Sequence, residues 1–178
     1  AWGHWEEDAA CADLTQQYMG QRDNHNAGYT FDNINTVYFD DPADELGTGI
    51  LGANLTLPQM GGEIAFTLGG DTYTYATDSD IIFNDDIVWY SDDQIRAGLC
   101  NGGYSLEGVA THEIGHLWGM GHSCEEGETC TDLDKRLAVM YWSGQPCSVG
   151  QSKVGDYDEK GITSLYGPYA AFYSDSKR

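Results

Sequence analysis

Three histidines fall within eleven residues at spacings that few backbones can bring together. The run is His112-Glu113-Ile114-Gly115-His116-Leu117-Trp118-Gly119-Met120-Gly121-His122. On an α-helix, residues four apart lie one above the other, about 6 Å along the axis, so His112 and His116 can present ring nitrogens to one metal ion. His122 follows six residues after His116, which is not a helical spacing, so the chain must first turn back. Gly119 supplies the turn, because glycine reaches left-handed backbone angles at little steric cost and commonly ends helices. Gly121 loosens the next step. Glu113, beside the first histidine, points its carboxylate to the open side of the metal, the place of a general base rather than a ligand. Three neutral imidazoles leave a fourth position free, which is the pattern of a catalytic and not a closed structural zinc site. The short HExxH stretch also occurs where histidines merely decorate a helix; the extended five-position form is far more restrictive.

Eighteen residues after His122 comes Met140, within Ala138-Val139-Met140-Tyr141. With this turn the chain resembles the metzincin metallopeptidases, and the resemblance implies that Met140 forms an apolar floor beneath the imidazoles. Taken alone, Met140 reads as ordinary core. Tyr157-Asp158-Glu159-Lys160-Gly161-Ile162-Thr163-Ser164-Leu165-Tyr166-Gly167 resembles the last helix of the matrixin branch, with Asp158 matching one acid of its usual pair. Ser79-Asp80-Ile81-Ile82-Phe83-Asn84 followed by Trp89 resembles the matrixin strand before the zinc helix. The resemblance implies an α/β (α+β) fold of the metzincin-like zincin type: a twisted, mixed, mostly parallel β-sheet, an active-site helix, a Met-turn and a C-terminal helix. It implies one catalytic domain over residues 1–178, with an upper part over about 1–121 and a lower part over about 122–178. The implied activity is zinc-dependent endopeptidase cleavage of protein or peptide substrates. His112, His116 and His122 would hold one catalytic Zn2+, and Glu113 would act as base and then as acid. The resemblance also implies structural Ca2+ and a secreted, extracellular, microbial protein that matures from a zymogen.

Departures from the family pattern bear on specificity. Asn54 and Ile82 stand where animal collagenases carry histidines for a second zinc, so a single zinc is expected. His4 and His25 read as solvated or hydrogen-bonded side chains. Trp142 stands where proline is usual, and Gly108 where a larger pocket-shaping residue is frequent. Tyr141 and Trp142 are candidate substrate-pocket walls and equally candidate core. The loop after His122 carries Cys124, Cys130 and an acidic run from Glu125 to Glu128.

Composition narrows the partners. The chain has 178 residues, with 29 Asp and Glu against 8 Lys and Arg and a net charge of −21, a surface that repels nucleic acid and anionic membranes. Two readings of the charge stand side by side. One is cation binding or a salty habitat, with Asp40 to Glu45 and Asp78 to Asp86 as candidate calcium loops; the other is a plain solvated surface. Five cysteines suit an oxidising compartment. A Cys11–Cys100 bridge is expected, with one further pair among Cys124, Cys130 and Cys147. No apolar stretch reaches bilayer length, and a monomer acting as a processed, mature chain is expected.

The coarse element reading starts with a helix within residues 1 to about 18, then strands at Thr36–Phe39 and Gly49–Leu57. A hairpin of Glu63–Leu68 and Asp71–Ala76 follows around Gly69-Gly70. A strand comes at Ile81–Asn84, then helices at Leu106–Trp118, capped by Ser105, and Asp156–Tyr166. The strand that precedes the first helix in the resembled fold has no visible counterpart. The competing function is a non-catalytic adhesion or binding module holding zinc and calcium on the same fold, which would have no need of Glu113.

Overall fold

A strand with buried polar residues at Asp78, Ser79 and Asp80 and an apolar end at Ile81, Ile82 and Phe83 forms the middle of the sheet. The computed structural model describes residues 1–8, 17, 19–20, 32–39, 41, 44–58, 64–68, 71–74 and 76–167. Its elements are α1 (Trp2–Asp8), β1 (Val37–Tyr38), β2 (Gly52–Pro58), β3 (Ile64–Leu68), β4 (Asp71–Thr74), β5 (Ala76–Phe83) and β6 (Trp89–Tyr90). They continue with α2 (Asp92–Arg96), β7 (Tyr104–Ser105), α3 (Leu106–Leu117), α4 (Leu133–Leu137) and α5 (Asp156–Tyr166). β5 is the central strand: it pairs parallel with β1 and antiparallel with β2, so the sheet is mixed. Because side chains alternate across a strand, Ile81 and Phe83 enter the core that contains Ile114 of α3. Ile82 packs on the other face with Tyr38 and Leu46.

Polar residues in β5 are buried because they close hydrogen bonds that an apolar side chain would leave open. Asp78 accepts the amide of Asn33 at 2.7 Å, Asp80 accepts that of Thr36 at 2.9 Å, and Ser79 donates its own amide to Asn35 Oδ1 at 2.9 Å. Together they lash residues 33–36 beside the sheet. Asp41 likewise accepts the amides of Glu45 and Leu46. Several carboxylates of the two candidate calcium loops therefore already organise backbone. β3 and β4 form the expected antiparallel hairpin, with Leu68 opposite Asp71; Gly69 and Gly70 lie outside the described residues, as do Cys11, His25 and Asp40.

The helix α3 starts where the sequence places it. Ser105 is in extended backbone and its hydroxyl accepts the Gly108 amide at 2.8 Å, the side-chain cap that an orphan helix N-terminus requires. Helix α1 lies against α3, with Trp5 fully buried and its indole N–H donating to the Thr111 carbonyl at 2.8 Å. β2 packs across the other side of α3 so tightly that a Cβ on Gly52 would sit 3.3 Å from Val109 Cγ1.

The disulfide expectation is corrected. Cys100 is bonded to Cys147, with Cα atoms 5.5 Å apart, and is therefore not the partner of Cys11; Cys124 and Cys130 are free thiols. The bridge ties the loop after α2 to the segment beyond Met140, and the Cys147 amide also donates to the Gly103 carbonyl at 2.8 Å. A loop of this length stabilises by about 4 kcal/mol on a chain-entropy account.

Met140 is fully buried and abuts α3 at Gly115. A Cβ at that position would lie 2.2 Å from Met140 Sδ and 2.8 Å from Trp5 Cζ2, so the helix has a glycine where the sulfur and the indole meet. Asp158 of α5 is fully buried and holds the turn from below, accepting the amides of Val139 at 2.8 Å and Met140 at 3.1 Å, and that of Gly155 at 3.1 Å. Two outcomes follow. In an open helix interior Gly→Ala would gain up to about 1 kcal/mol, but Gly115→Ala loses about 1–3 kcal/mol through overpacking; urea unfolding measures the sign, and a gain refutes this packing account. Asp158→Ala costs about 2–4 kcal/mol by stranding buried amides, and Asp158→Asn restores only part of it, because its NH2 group faces a backbone N–H.

Candidate metal centre

The end of α3 is a full helix stop. Gly119 has φ +87°, its amide donates to the His116 carbonyl at 2.8 Å, and the Met120 amide donates to the Gly115 carbonyl at 3.0 Å. These paired bonds across a left-handed glycine form the Schellman arrangement, and they send the chain back toward the helix. His122 is thereby brought to His116, with Nε2 atoms 3.2 Å apart, while His112 Nε2 lies 3.1 Å from His116 Nε2. The structure thus gathers the three sequence-selected histidines at one point.

The outer nitrogens decide what those short distances mean. His112 Nδ1 lies 2.7 Å from the Val139 carbonyl, His116 Nδ1 2.8 Å from the Met120 carbonyl, and His122 Nδ1 2.9 Å from Glu125 Oε2. A carbonyl or carboxylate oxygen can only accept, so each Nδ1 carries the proton. In the neutral rings each Nε2 is then a bare lone pair. Three lone pairs facing one another cannot hydrogen-bond; they suit a cation. Tetrahedral zinc with Zn–N near 2.0–2.1 Å separates its nitrogens by about 3.3 Å, close to the spacings found. Burial and the neighbouring rings push His112 down to about 3, and burial lowers His116 as well. Both shifts favour the neutral ring that a metal needs.

Glu113 is buried one residue from His112. Desolvation pushes its carboxyl up to about 8, against the opposing effect of a hydrogen bond from the Asn54 backbone of β2; a bound dication would act in the opposite direction. Asn54 is where the family resemblance looked for a structural-zinc histidine. Here its amide side chain goes to Ser79 Oγ at 2.8 Å instead. His4 is paired with Glu107, Nε2 to Oε1 2.9 Å, in keeping with its reading as a hydrogen-bonded residue.

A cleft passes over these groups. Residues 48–54 and 56 line one side, Tyr141, Trp142, Ser143 and Gly144 the other, and the three histidines with Glu113 lie between them. Tyr141 and Trp142 therefore both reach the cleft, Trp142 with 38% of its surface exposed. Two contributors escaped sequence reasoning. Gln151 donates its amide to the carbonyls of Val139 at 3.2 Å and Tyr141 at 2.9 Å, bracing the far wall. No local pattern marks it. Glu125 was visible only as part of an acidic run, and nothing in that run singles out the residue that meets His122.

The matrixin family profile matches residues 8–167. The chain is similar to Metalloendoproteinase 1-MMP of Arabidopsis thaliana, 40% identical over 89 residues that make up 50% of this chain and 21% of the plant protein. It is also similar to Metalloendoproteinase 1 of Glycine max, 36% identical over 91 residues, 51% of this chain and 26% of that protein. The chain thus matches about a fifth to a quarter of the length of these curated relatives. With the profile running from the first helix to the end of the last, and the histidine constellation inside it, the chain belongs to the matrixin family.

Proposed function

We propose that the chain is a secreted zinc-dependent endopeptidase that works as a monomer on extended protein or peptide substrates. The observation that carries this reading is a buried carboxylate, Glu113, set beside three imidazoles whose bare Nε2 atoms converge. His112, His116 and His122 would hold one zinc ion. Zinc in such a site supplies Lewis acidity, which acidifies water and polarises a carbonyl.

The remaining chemistry belongs to the chain's own residues. Glu113 takes the proton from the attacking water and returns it to the amine that leaves when the peptide bond breaks. The Asn54 amide steadies the carboxylate. Among the described residues β2 pairs with β5 alone and its residues 52–54 and 56 line the cleft, so a substrate in extended form can add to its free edge as a strand. The cleft divides an upper part, residues 1 to about 121, from a lower part, about 122 to 178. Tyr141 and Trp142 wall the pocket for one substrate side chain, and Met140 supplies the apolar floor.

Structural calcium belongs to the same proposal. Its support is Asp78 Oδ1, buried with no hydrogen-bond partner among the described residues, on the same face of β5 as Asp80. Among the described residues no helix is long and apolar enough to cross a membrane, and the net charge of −21 opposes nucleic acid as a partner.

Glu113→Ala is the decisive variant. It should lower cleavage of a mixed peptide library by at least about 10²-fold while metal analysis of the same sample still finds one zinc per chain. Cleavage near the wild-type rate would remove Glu113 from its role, and loss of the zinc would make it a ligand instead.

A further inference from the structure

The three imidazoles are not oriented in the same way. The outer nitrogens of His112 and His116 donate to backbone carbonyls, one on the turn at Val139 and one on the helix stop at Met120. These acceptors come with the fold and cannot be removed by a side-chain substitution. The outer nitrogen of His122 donates to a side chain, Glu125, at 2.9 Å. That side chain is 62% exposed and the His122 ring 28% exposed, and among the described residues this pairing is the hydrogen bond that orients Nδ1.

We propose that Glu125 is the positioning residue for His122 and governs how tightly the site retains its metal. The inference rests on the reading of the three histidines as a zinc site. A carboxylate on Nδ1 fixes the Nδ1–H tautomer, leaves Nε2 unprotonated and facing the other two rings, and makes that nitrogen a stronger donor to a cation. Without Glu125 the ring can adopt the other tautomer, which puts a proton where the metal would bind.

The loop is built to present this carboxylate. At its base, the Ser123 amide donates to the Met140 carbonyl and the Ser123 hydroxyl to the Lys135 carbonyl, both at 2.8 Å, while Cys124 bridges to Tyr141. At its tip the Glu125 amide donates to Glu128 Oε2 at 3.0 Å, and the Glu128 amide returns to the Glu125 carbonyl at 3.2 Å. The turn that carries Met140 and the loop that carries Glu125 thus share one anchor. Glu126, next in the chain, makes no such contact with the ring and offers a control of equal charge.

Zinc affinity, measured by competition against a chelator of known strength, tests the inference on the full chain. Glu125→Ala should weaken zinc binding by about 10–100-fold, the usual effect of removing an outer partner of a ligating histidine. Glu125→Gln, whose amide oxygen still accepts from Nδ1, should recover to within about threefold of wild type, and Glu126→Ala should stay within about twofold. The visible spectrum of the cobalt(II)-loaded protein should shift in Glu125→Ala and return in Glu125→Gln, a signature that a purely structural residue would not move. Equal losses in Glu125→Ala and Glu126→Ala would assign the effect to bulk charge and overturn the proposal. Unchanged affinity in Glu125→Ala would overturn it too, while wild-type zinc binding kept the metal reading intact. A wild-type chain that takes up no zinc would sink the underlying reading, and the inference with it.

Discussion

Three nitrogen lone pairs held about one zinc–nitrogen bond length from a common point are the constraint on which the rest depends. Each Nδ1 is committed to an oxygen that can only accept, so no arrangement of protons on neutral rings lets the Nε2 atoms bond to one another. The arrangement is unfavourable empty and favourable around a cation. Each oxygen that enforces it comes from a different element: the turn at Val139, the stop after α3, and the loop beyond His122. Moving any one of the three would release a ring. The sheet, the capped helix and the braced turn can be understood as what holds these oxygens in place.

Rigidity at the floor has a similar origin in close approach. Gly115 lets Met140 and Trp5 meet against α3, and Asp158 satisfies both amides at the apex of the turn. The Val139 carbonyl then faces upward to serve two donors, His112 and Gln151. One peptide of the turn therefore connects the last helix, the first ligand and the cleft wall. Burial pushes the Asp158 carboxyl up on balance, against the pull of its backbone donors, and the amides of Val139, Met140 and Gly155 satisfy its oxygens in the interior.

What the sequence made legible was local and periodic. The spacing of His112 and His116, the cap at Ser105, the stop at Gly119 and the bounds of α5 all follow from rules that act within one or two turns. The hairpin around Gly69-Gly70 belongs to the same class. Residues that act across the fold were hidden. Cysteine pairing cannot be deduced from spacing, and Cys100 lies 47 residues from the partner it finds. Gln151 and Asn54 serve the site through contacts that depend on where a loop and a sheet edge come to rest. The short elements β6, α2, β7 and α4 were missed because two to five residues carry too little periodicity to register. The Asp-rich stretch from Asp78 to Asp86 marks a candidate calcium loop without singling out ligands, and the structure shows Asp78 and Asp80 each fastening a backbone amide.

The second and third histidines of the site, His116 and His122, are coupled through a single turn. Gly119 and Met120 return two carbonyl bonds to α3, and the Met120 carbonyl in turn accepts from His116 Nδ1. Met120, whose amide closes the helix stop, is therefore also the residue whose carbonyl orients His116. A side chain at Gly119 would strain the left-handed backbone and disturb both rings at once, which explains why the glycine matters more than a flexible link would. His112 is insulated from such a change, because its partner lies on the turn at Val139. The site thus has one histidine tied to the lower floor, one tied to the helix stop, and one dependent on a side chain in an exposed acidic loop. If zinc is held there as proposed, its loss should begin at His122, whose outer nitrogen is held by a side chain and not by the backbone.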